Sequence, residues 1–415
     1  MFLSRVERPE APPPSLARMR ADFGPTYIAH GFIGWLFAAT GPVAIILTVG
    51  LHGGLSEAEL STWIFGVFFV NGLITLLFSW AYARPLAFFW TIPGTVLVGP
   101  ALGHLGLAAV TGAYYAAGLL TILLGATGWV KRLTQAVPLP IVMGMVAGVF
   151  LRFGLDLIHA VRMDALLAGP MVAAWIALTA LPRLGAILPP IIGALIAGAL
   201  AALALGRFDL AALSGGAWLA HPVLQAPAWS WPAMLDLVIP LLITVLVVQN
   251  AQGFAVLKAA GHEAPVDAVT LACGVGAVLS AGLGAVSTCL AGPTNAILIS
   301  AGERRRQYTA GLTTGLLSLG FGLFAPGFTR FMLAAPKSFI AALAGLAMLR
   351  VLQNAFSGAF KARFSLGALV TFLITVSDIS LLNIGAAFWG LTGGVLVSWL
   401  LEQGDFQALI AGERV

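Results

Sequence analysis

Apolar residues run along this chain in blocks of about twenty, the length a helix needs to cross the hydrocarbon of a bilayer. The blocks fall near 27–49, 58–82, 107–128, 138–157, 165–181, 186–205, 234–257, 267–283, 308–325, 332–352, 364–377 and 383–401. Two shorter ones, 86–103 and 285–302, bring the predicted spans to fourteen. The pattern predicts an all-α integral membrane protein.

The two short blocks are interrupted. Phe89-Trp90-Thr91-Ile92-Pro93-Gly94-Thr95 and Leu290-Ala291-Gly292-Pro293-Thr294-Asn295 each set proline, glycine and small polar residues inside apolar sequence. Hydrocarbon offers broken backbone no hydrogen-bond partner, so such a break must be buried in protein or line a polar cavity. Each is expected to be a short extended segment, Trp90-Thr91-Ile92 or Cys289-Leu290-Ala291, that leads into a half-helix. Proline suits a first helical turn because its missing N–H would be unpaired there anyway. The N–H groups of Gly94, Thr95, Thr294 and Asn295 are then expected to point, free, into the membrane centre. Two such helix ends suit an anion, each worth roughly 0.3–2 kcal/mol. A pair of proline kinks satisfied by neighbouring helices is the plainer alternative.

The halves resemble each other. Val137-Pro138 opens a span that reaches Leu151-Arg152, and Ala335-Pro336 opens one that reaches Leu349-Arg350, fourteen residues from proline to arginine in both. Pro93 and Pro293 are 200 residues apart, Pro138 and Pro336 198. Two repeats of seven spans must run in opposite directions, the inverted-repeat plan of secondary transporters, with spans 3 and 10 as the broken half-helices.

Charge fixes an orientation. With the N-terminus inside, sixteen basic residues fall on the inner side: Arg5, Arg8, Arg18, Arg20, Arg84, Lys131, Arg132, Arg183, Lys258, Arg304, Arg305, Arg306, Arg350, Lys361, Arg363 and Arg414. Four, Arg152, Arg162, Arg207 and Arg330, fall outside, and Lys337 stands at a helix start. The positive-inside bias puts both termini in the cytoplasm. Residues 1–21 lack the apolar core and cleavage site of a signal peptide and read as a basic cytoplasmic tail, suited to anionic lipid. Residues 403–415 read as the C-terminal tail.

Composition narrows the picture further. Hydrophobic residues make up 60% and charged residues 9% of the 415, against about 25% charged in soluble domains. The net charge of +5 is scattered over helix ends, which argues for membrane orientation and against a nucleic-acid partner. Cys273 and Cys289 lie in apolar sequence and read as packing residues, with no metal site or cofactor implied. The stretch 207–232 holds Trp218, Trp229 and Trp231 and reads as an external segment along the bilayer surface; a binding lid is the alternative.

Few polar residues stand within the spans. Gln249, Asn250 and Gln252 put three amides in one turn. Buried amides need partners, so Gln249 and Asn250 are candidates to bond substrate or broken backbone, or else to act as glue between helices. Thr40, beside Gly41-Pro42, permits close approach to a cavity, and Phe37, Phe89 and Trp90 are candidates for an aromatic wall. Among ionisable groups, His30 and Asp378 are the candidate proton carriers. Asp156, Asp236 and Asp378 lie near external helix ends, where water already accounts for them; Lys337 follows Pro336 and can snorkel. Enzyme signatures are absent: no paired acids within a span, no Gly-x-Ser-x-Gly, no phosphate loop. The motifs Gly144-x-x-x-Gly148 and Gly311-x-x-x-Gly315 leave a homodimer open without deciding it.

Three stretches carry a family likeness: Gln249-Asn250-Ala251 running on to Lys258-Ala259-Ala260-Gly261, Leu151-Arg152-Phe153-Gly154-Leu155, and Gly385-Ala386-Ala387-Phe388-Trp389-Gly390-Leu391. The chain resembles the benzoate:proton symporters of bacterial inner membranes, and more distantly the nucleobase and sulfate transporter folds. The resemblance implies a core of residues 22–128 and 233–326 moving against a gate of 129–206 and 327–402. Substrate would sit between spans 3 and 10. Nucleobase transporters of that fold carry acids on spans 8 and 10, where this chain has Gln249, Asn250 and Asn295. That disfavours a purine or pyrimidine and suits a carboxylate.

The expected activity is therefore import of benzoate or a similar aromatic carboxylate with protons. Substrate is expected to meet Thr40, Trp90, Pro93, Gly94, Thr95, Gln249, Asn250, Gly292, Pro293, Thr294 and Asn295. An inorganic-anion exchanger or uniporter is the alternative, and a membrane enzyme or scaffold a remoter one.

Overall fold

The computed structural model describes residues 6–130, 138–209, 216–361, 363–379, 381–382 and 384–410. Arg5, Lys131, Arg132, Val137 and Arg414 lie outside the described residues. In chain order the elements are α1 (Leu16–Asp22), α2 (Pro25–Ala39), α3 (Gly41–His52), α4 (Glu57–Tyr82), β1 (Phe88–Trp90), α5 (Ile92–His104), α6 (Leu107–Thr127), α7 (Leu139–Met163), α8 (Ala165–Ala180), α9 (Pro182–Ile187) and α10 (Pro190–Ala204). After the midpoint come α11 (Trp231–Ala259), α12 (Val266–Ala281), β2 (Thr288–Leu290), α13 (Gly292–Leu298), α14 (Tyr308–Leu323), α15 (Ala325–Leu333), α16 (Lys337–Phe360), α17 (Ser365–Val376), α18 (Ala386–Leu401) and α19 (Gln403–Ile410).

Among the described residues six helical stretches are long and apolar enough to cross a membrane: Pro25–His52, α4, α6, α7, α11 and α16. A seventh is the unit Arg304–Leu323 with α15, bent by 70°, and α8, α10, α12, α17 and α18 are shorter apolar helices. Leu119, Leu123, Leu200, Leu316, Leu373 and Leu396 are exposed on these helices, as expected where the surrounding solvent is lipid. Small residues let the helices touch. A Cβ on Gly144 would stand 2.4 Å from the Ala368 carbonyl, and one on Gly311 2.4 Å from Ser79 Oγ. Both Gly-x-x-x-Gly motifs therefore serve contacts inside one chain, α7 on α17 and α14 on α4.

Two interruptions were not anticipated from the sequence. Thr40 leaves helical geometry at φ −105°, ψ −95° and divides the first span into α2 and α3, its hydroxyl donating back to the Leu36 carbonyl at 2.9 Å. α11 widens into π-helical turns at Met234–Val238 and Thr244–Asn250. Such bulges occur frequently at functional sites, and here the second contains both Gln249 and Asn250.

The segment before α1 lies on protein. Tyr82 donates to the Glu7 carbonyl at 2.7 Å, the Glu7 carboxylate accepts the Asp267 and Ala268 N–H groups at 3.0 Å, and Trp80 donates to the Pro14 carbonyl at 3.1 Å. An acid at the start of α12 complements that helix's dipole. On the opposite end, the described part of 207–232 forms a strap. Its Ala220, Val223, Gln225 and Ala228 N–H groups donate to Leu323 O, Thr62 Oγ1, Gly282 O and Ala108 O at 2.8–3.1 Å. Trp218, Trp229 and Trp231 remain exposed along it.

The loop after α11 is closed by His262, whose Nε2 lies 2.7 Å from Gln307 Oε1. Burial holds this imidazole below its usual range; the Gln307 bond opposes the shift, and Arg304 and Arg84 add to it. The folded state thus refuses a proton that the unfolded chain accepts near pH 6.5, so the contribution is fully present above that pH and is lost as pH falls through the lower folded value. The melting temperature in detergent should drop as pH falls below about 6.5, and His262→Gln should flatten that slope. An unchanged slope in the variant would reject the assignment.

Candidate functional site

The two interrupted stretches meet. β1 and β2 pair antiparallel, Phe88 with Leu290, Phe89 with Cys289 and Trp90 with Thr288. The ladder continues through Thr91 N–H to Ser287 O and Ala291 N–H to Ala87 O, both 3.0 Å. An extended segment inside a helical protein must find partners for its backbone, and each strand supplies them to the other along one edge. Side chains supply much of the rest. Thr75 Oγ1 accepts the Phe88 N–H at 2.8 Å, and Ser79, one turn further along α4, accepts that of Leu86 at 3.3 Å. Asn250 Oδ1 accepts the Leu290 N–H at 2.7 Å. Asn295 reaches back to Ala87, accepting its N–H and donating to its C=O, both at 3.0 Å.

These contacts revise the expected roles. The Gly94 N–H is not free; it donates to Thr91 Oγ1 at 3.1 Å, and the Thr95 N–H donates to the Thr91 carbonyl at 2.9 Å. The Asn295 N–H donates to the Ala291 carbonyl at 2.9 Å. A threonine N-cap closes α5, whereas α13 starts from Ala291, which has no side-chain acceptor. At these two helix starts, the N–H groups without an acceptor among the described residues are those of Ile92, Gly292 and Thr294. The two helix starts come together, with donors other than those expected and an asymmetry the sequence had hidden.

A cavity of about 1010 Å³ opens at these two helix starts. Ile92, Pro93, Gly292 and Pro293 form one side of it, and Gln249 and Gln252 of α11 stand beside them. Neither glutamine amide has a hydrogen-bond partner among the described residues, although Gln249 is only 6% exposed. Phe37, Met143, Trp175 and Leu346 give the facing wall an apolar character, and Arg350 and Asn354 of α16 line it as well. Gln252, Arg350 and Asn354 were not among the expected site residues. Gln252 lay in the amide turn already singled out, and Arg350 in the repeat motif, where it had been assigned only an orienting role.

The remaining expected residues lie in the frame behind the cavity. Thr95, Asn250 and Asn295 are fully buried, and Trp90 and Thr294 are 2% exposed. Trp90 packs against Phe68 with ring centroids 5.2 Å apart. Thr40 is buried beside the cavity residues Gly41 and Pro42. His30 lines a smaller neighbouring cavity of about 300 Å³ with Phe37 and Ser300, its Nδ1 2.8 Å from the Thr26 carbonyl. Asp378 faces a third, of about 560 Å³, and pairs with Arg152 at 3.4 Å. That vestibule touches α5 at Val96–Gly103, so one helix presents its start to the large cavity and its later turns to the vestibule.

The sequence model of the benzoate membrane transport protein family matches residues 21–400. The chain belongs to that family. It is 32% identical over 375 residues to the inner membrane protein YdcO of Escherichia coli, covering 89% of this chain and 94% of that one. It is 28% identical over 391 residues to the benzoate membrane transport protein of Acinetobacter baylyi, covering 93% and 98%. The fold is shared with the transmembrane domain of the cyanobacterial bicarbonate transporter BicA, at TM-score 0.57 and 18% identity over 89% of this chain and 97% of that one. It is shared too with the murine anion transporter Slc26a9 in its inward-facing state, at 0.62 and 14% over 95% and 71%. The chain is a multi-pass membrane transporter of small anions.

Proposed function

We propose that this chain imports benzoate or a similar aromatic carboxylate together with protons across a bacterial inner membrane. One observation carries the reading: two helix starts with unpaired N–H groups, and two unpartnered glutamine amides, converge on a cavity whose other wall is aromatic and aliphatic. The polar side suits a carboxylate and the apolar side a ring. A volume of about 1010 Å³ lies at the upper end of ligand sites. Ile92, Pro93, Gln249, Gln252, Gly292 and Pro293 contact the anion, and Arg350 draws it in. Thr40, Trp90, Gly94, Thr95, Asn250 and Asn295 hold the broken backbone in place.

The packing supports fourteen spans in two inverted repeats. If span n of the first half maps to span n + 7, the α4·α14 contact becomes α12·α6, the α8·α10 contact becomes α17·α18, and α7·α16 and β1·β2 map onto themselves; all of these contacts are present. On this plan the core, 22–128 and 233–326, moves against the gate, 129–206 and 327–402, and both termini face the cytoplasm.

The bicarbonate and SLC26 folds favour a second reading, an inorganic-anion exchanger. The apolar wall of Phe37, Trp175 and Leu346 speaks against a strongly hydrated ion. Uptake of labelled benzoate into proteoliposomes, with and without an inward pH gradient, decides between them. Benzoate should accumulate only with the gradient. Uptake of labelled bicarbonate or sulfate that benzoate does not inhibit would favour the exchanger.

A further inference from the structure

The vestibule opposite the large cavity holds a buried acid that the transport reading has not used. Asp236 lies in the first π-helical turn of α11 and is 5% exposed. Its Oδ2 is 3.1 Å from His104 Nε2, at the last residue of α5, and its Oδ1 accepts the Gly385 N–H at 2.8 Å, at the N-cap of α18. A Cβ on Gly385 would stand 2.6 Å from that oxygen, so glycine is what lets the carboxylate reach the backbone.

The other face of the imidazole fixes a proton count. His104 Nδ1 lies 3.0 Å from the Pro100 carbonyl, which can only accept. An ionised carboxylate also only accepts, and a neutral imidazole has one N–H to give. Neutral His104 beside ionised Asp236 would therefore leave one of the two contacts without a hydrogen. Both are satisfied when the pair holds one proton more, either as imidazolium and carboxylate or as imidazole and carboxylic acid.

We propose that the His104–Asp236 pair is the proton-carrying site of the transport cycle, an assignment that rests on the symport reading. A proton from the vestibule, which Asp236 lines, forms an N–H or O–H bond within the pair and takes its charge from −1 to 0. Because α5 and α11 belong to the core and Gly385 to the gate, the same event alters a bond between the moving parts. The unloaded carboxylate holds the Gly385 N–H in a charge-assisted hydrogen bond, roughly twice as strong as a neutral one, and loading weakens that tie.

Other ionisable groups face the same space. His52 of α3, Arg152 and Asp156 of α7, and Asp378 line the vestibule, and Arg152 is paired with Asp378. Of the helices packed on the Asp236 turn, α6 contributes Tyr114 and Tyr115 and α18 no titratable side chain. Among the described residues only His104 is within ion-pair distance of Asp236.

Asp236→Asn keeps an acceptor for Gly385 but cannot take the proton, and His104→Gln keeps a donor for Asp236 with the same defect. In proteoliposomes both variants should lose benzoate accumulation driven by an inward pH gradient, while retaining benzoate–benzoate exchange at equal pH, which needs no net proton movement and reports intact protein. Variants that still accumulate benzoate overturn the proposal. Variants that lose exchange along with accumulation also overturn it, because the pair is then structural. A wild-type protein indifferent to the gradient would instead remove the symport reading itself.

Discussion

Asn295→Asp is expected to cost the protein its fold rather than its affinity for an anion. From sequence alone, a negative charge at the start of a half-helix should simply repel a carboxylate. The structure gives Asn295 another task. Its side chain is fully buried; Oδ1 accepts the Ala87 N–H, and Nδ2 donates to the Ala87 and Ala291 carbonyls at 3.0 and 2.9 Å. Aspartate keeps the acceptor and loses both donors, leaving two carbonyl oxygens facing a carboxylate. Both carbonyls keep a backbone donor, from the Ala291 and Asn295 N–H groups, so the main cost is that of an unpaired buried charge set against them, about 3–5 kcal/mol. Protonating the acid relieves the charge but restores only one of the two donors. The variant should show a sharply lower melting temperature or a loss of monodisperse protein in detergent. A variant with a wild-type melt and weakened benzoate binding would return Asn295 to the ligand site. Asn250→Leu tests the other strand, since Asn250 Oδ1 accepts the Leu290 N–H at 2.7 Å and leucine offers no acceptor.

This contrast marks where sequence reasoning stops. Short extended segments ahead of Pro93 and Pro293 were legible because proline and glycine inside hydrocarbon-length apolar runs have few explanations. Their pairing had a cue in the likeness of the two motifs, 200 residues apart. Which face of each half-helix carried free donors was not, because that depends on whether the N-cap residue has a hydroxyl aimed inward. Thr91 does and Ala291 cannot, so the two ends differ although the motifs look alike. The amide turn shows the same limit. Gln249 and Asn250 are neighbours in sequence, yet the π-helical turn sends one to the cavity and the other to β2. Helical periodicity of 3.6 does not anticipate a local widening of the helix. His104 escaped notice because its meaning lies in Asp236 and Gly385, 132 and 281 residues away, and an acid near a helix end has an adequate explanation in water.

Gln249→Glu should produce the largest loss of substrate affinity with an intact fold. The substitution is nearly isosteric, and Gln249 makes no hydrogen bond to the described residues, so nothing in the frame is broken. Its amide stands at the cavity with Ile92, Pro93, Gly292 and Pro293, the group proposed to surround the carboxylate. Two unit charges about 4 Å apart repel by about 1 kcal/mol in water and about 4 kcal/mol at the effective dielectric of a protein surface. That corresponds to a loss of roughly fivefold to several hundredfold in affinity. The new carboxylate would also compete for the same N–H groups, since helix starts favour its ionised form. Gln249→Ala removes only one or two hydrogen bonds at about 0.5–1.5 kcal/mol each, so it should be the milder variant. Titration calorimetry with benzoate, set beside thermal melts, reads both effects. Equal affinities in the wild-type and Gln249→Glu proteins would mean that the anion binds elsewhere. Affinity lost together with the melt would mean that Gln249, like Asn295, belongs to the frame. A selective loss, larger for glutamate than for alanine, is what a site built for a negative charge requires.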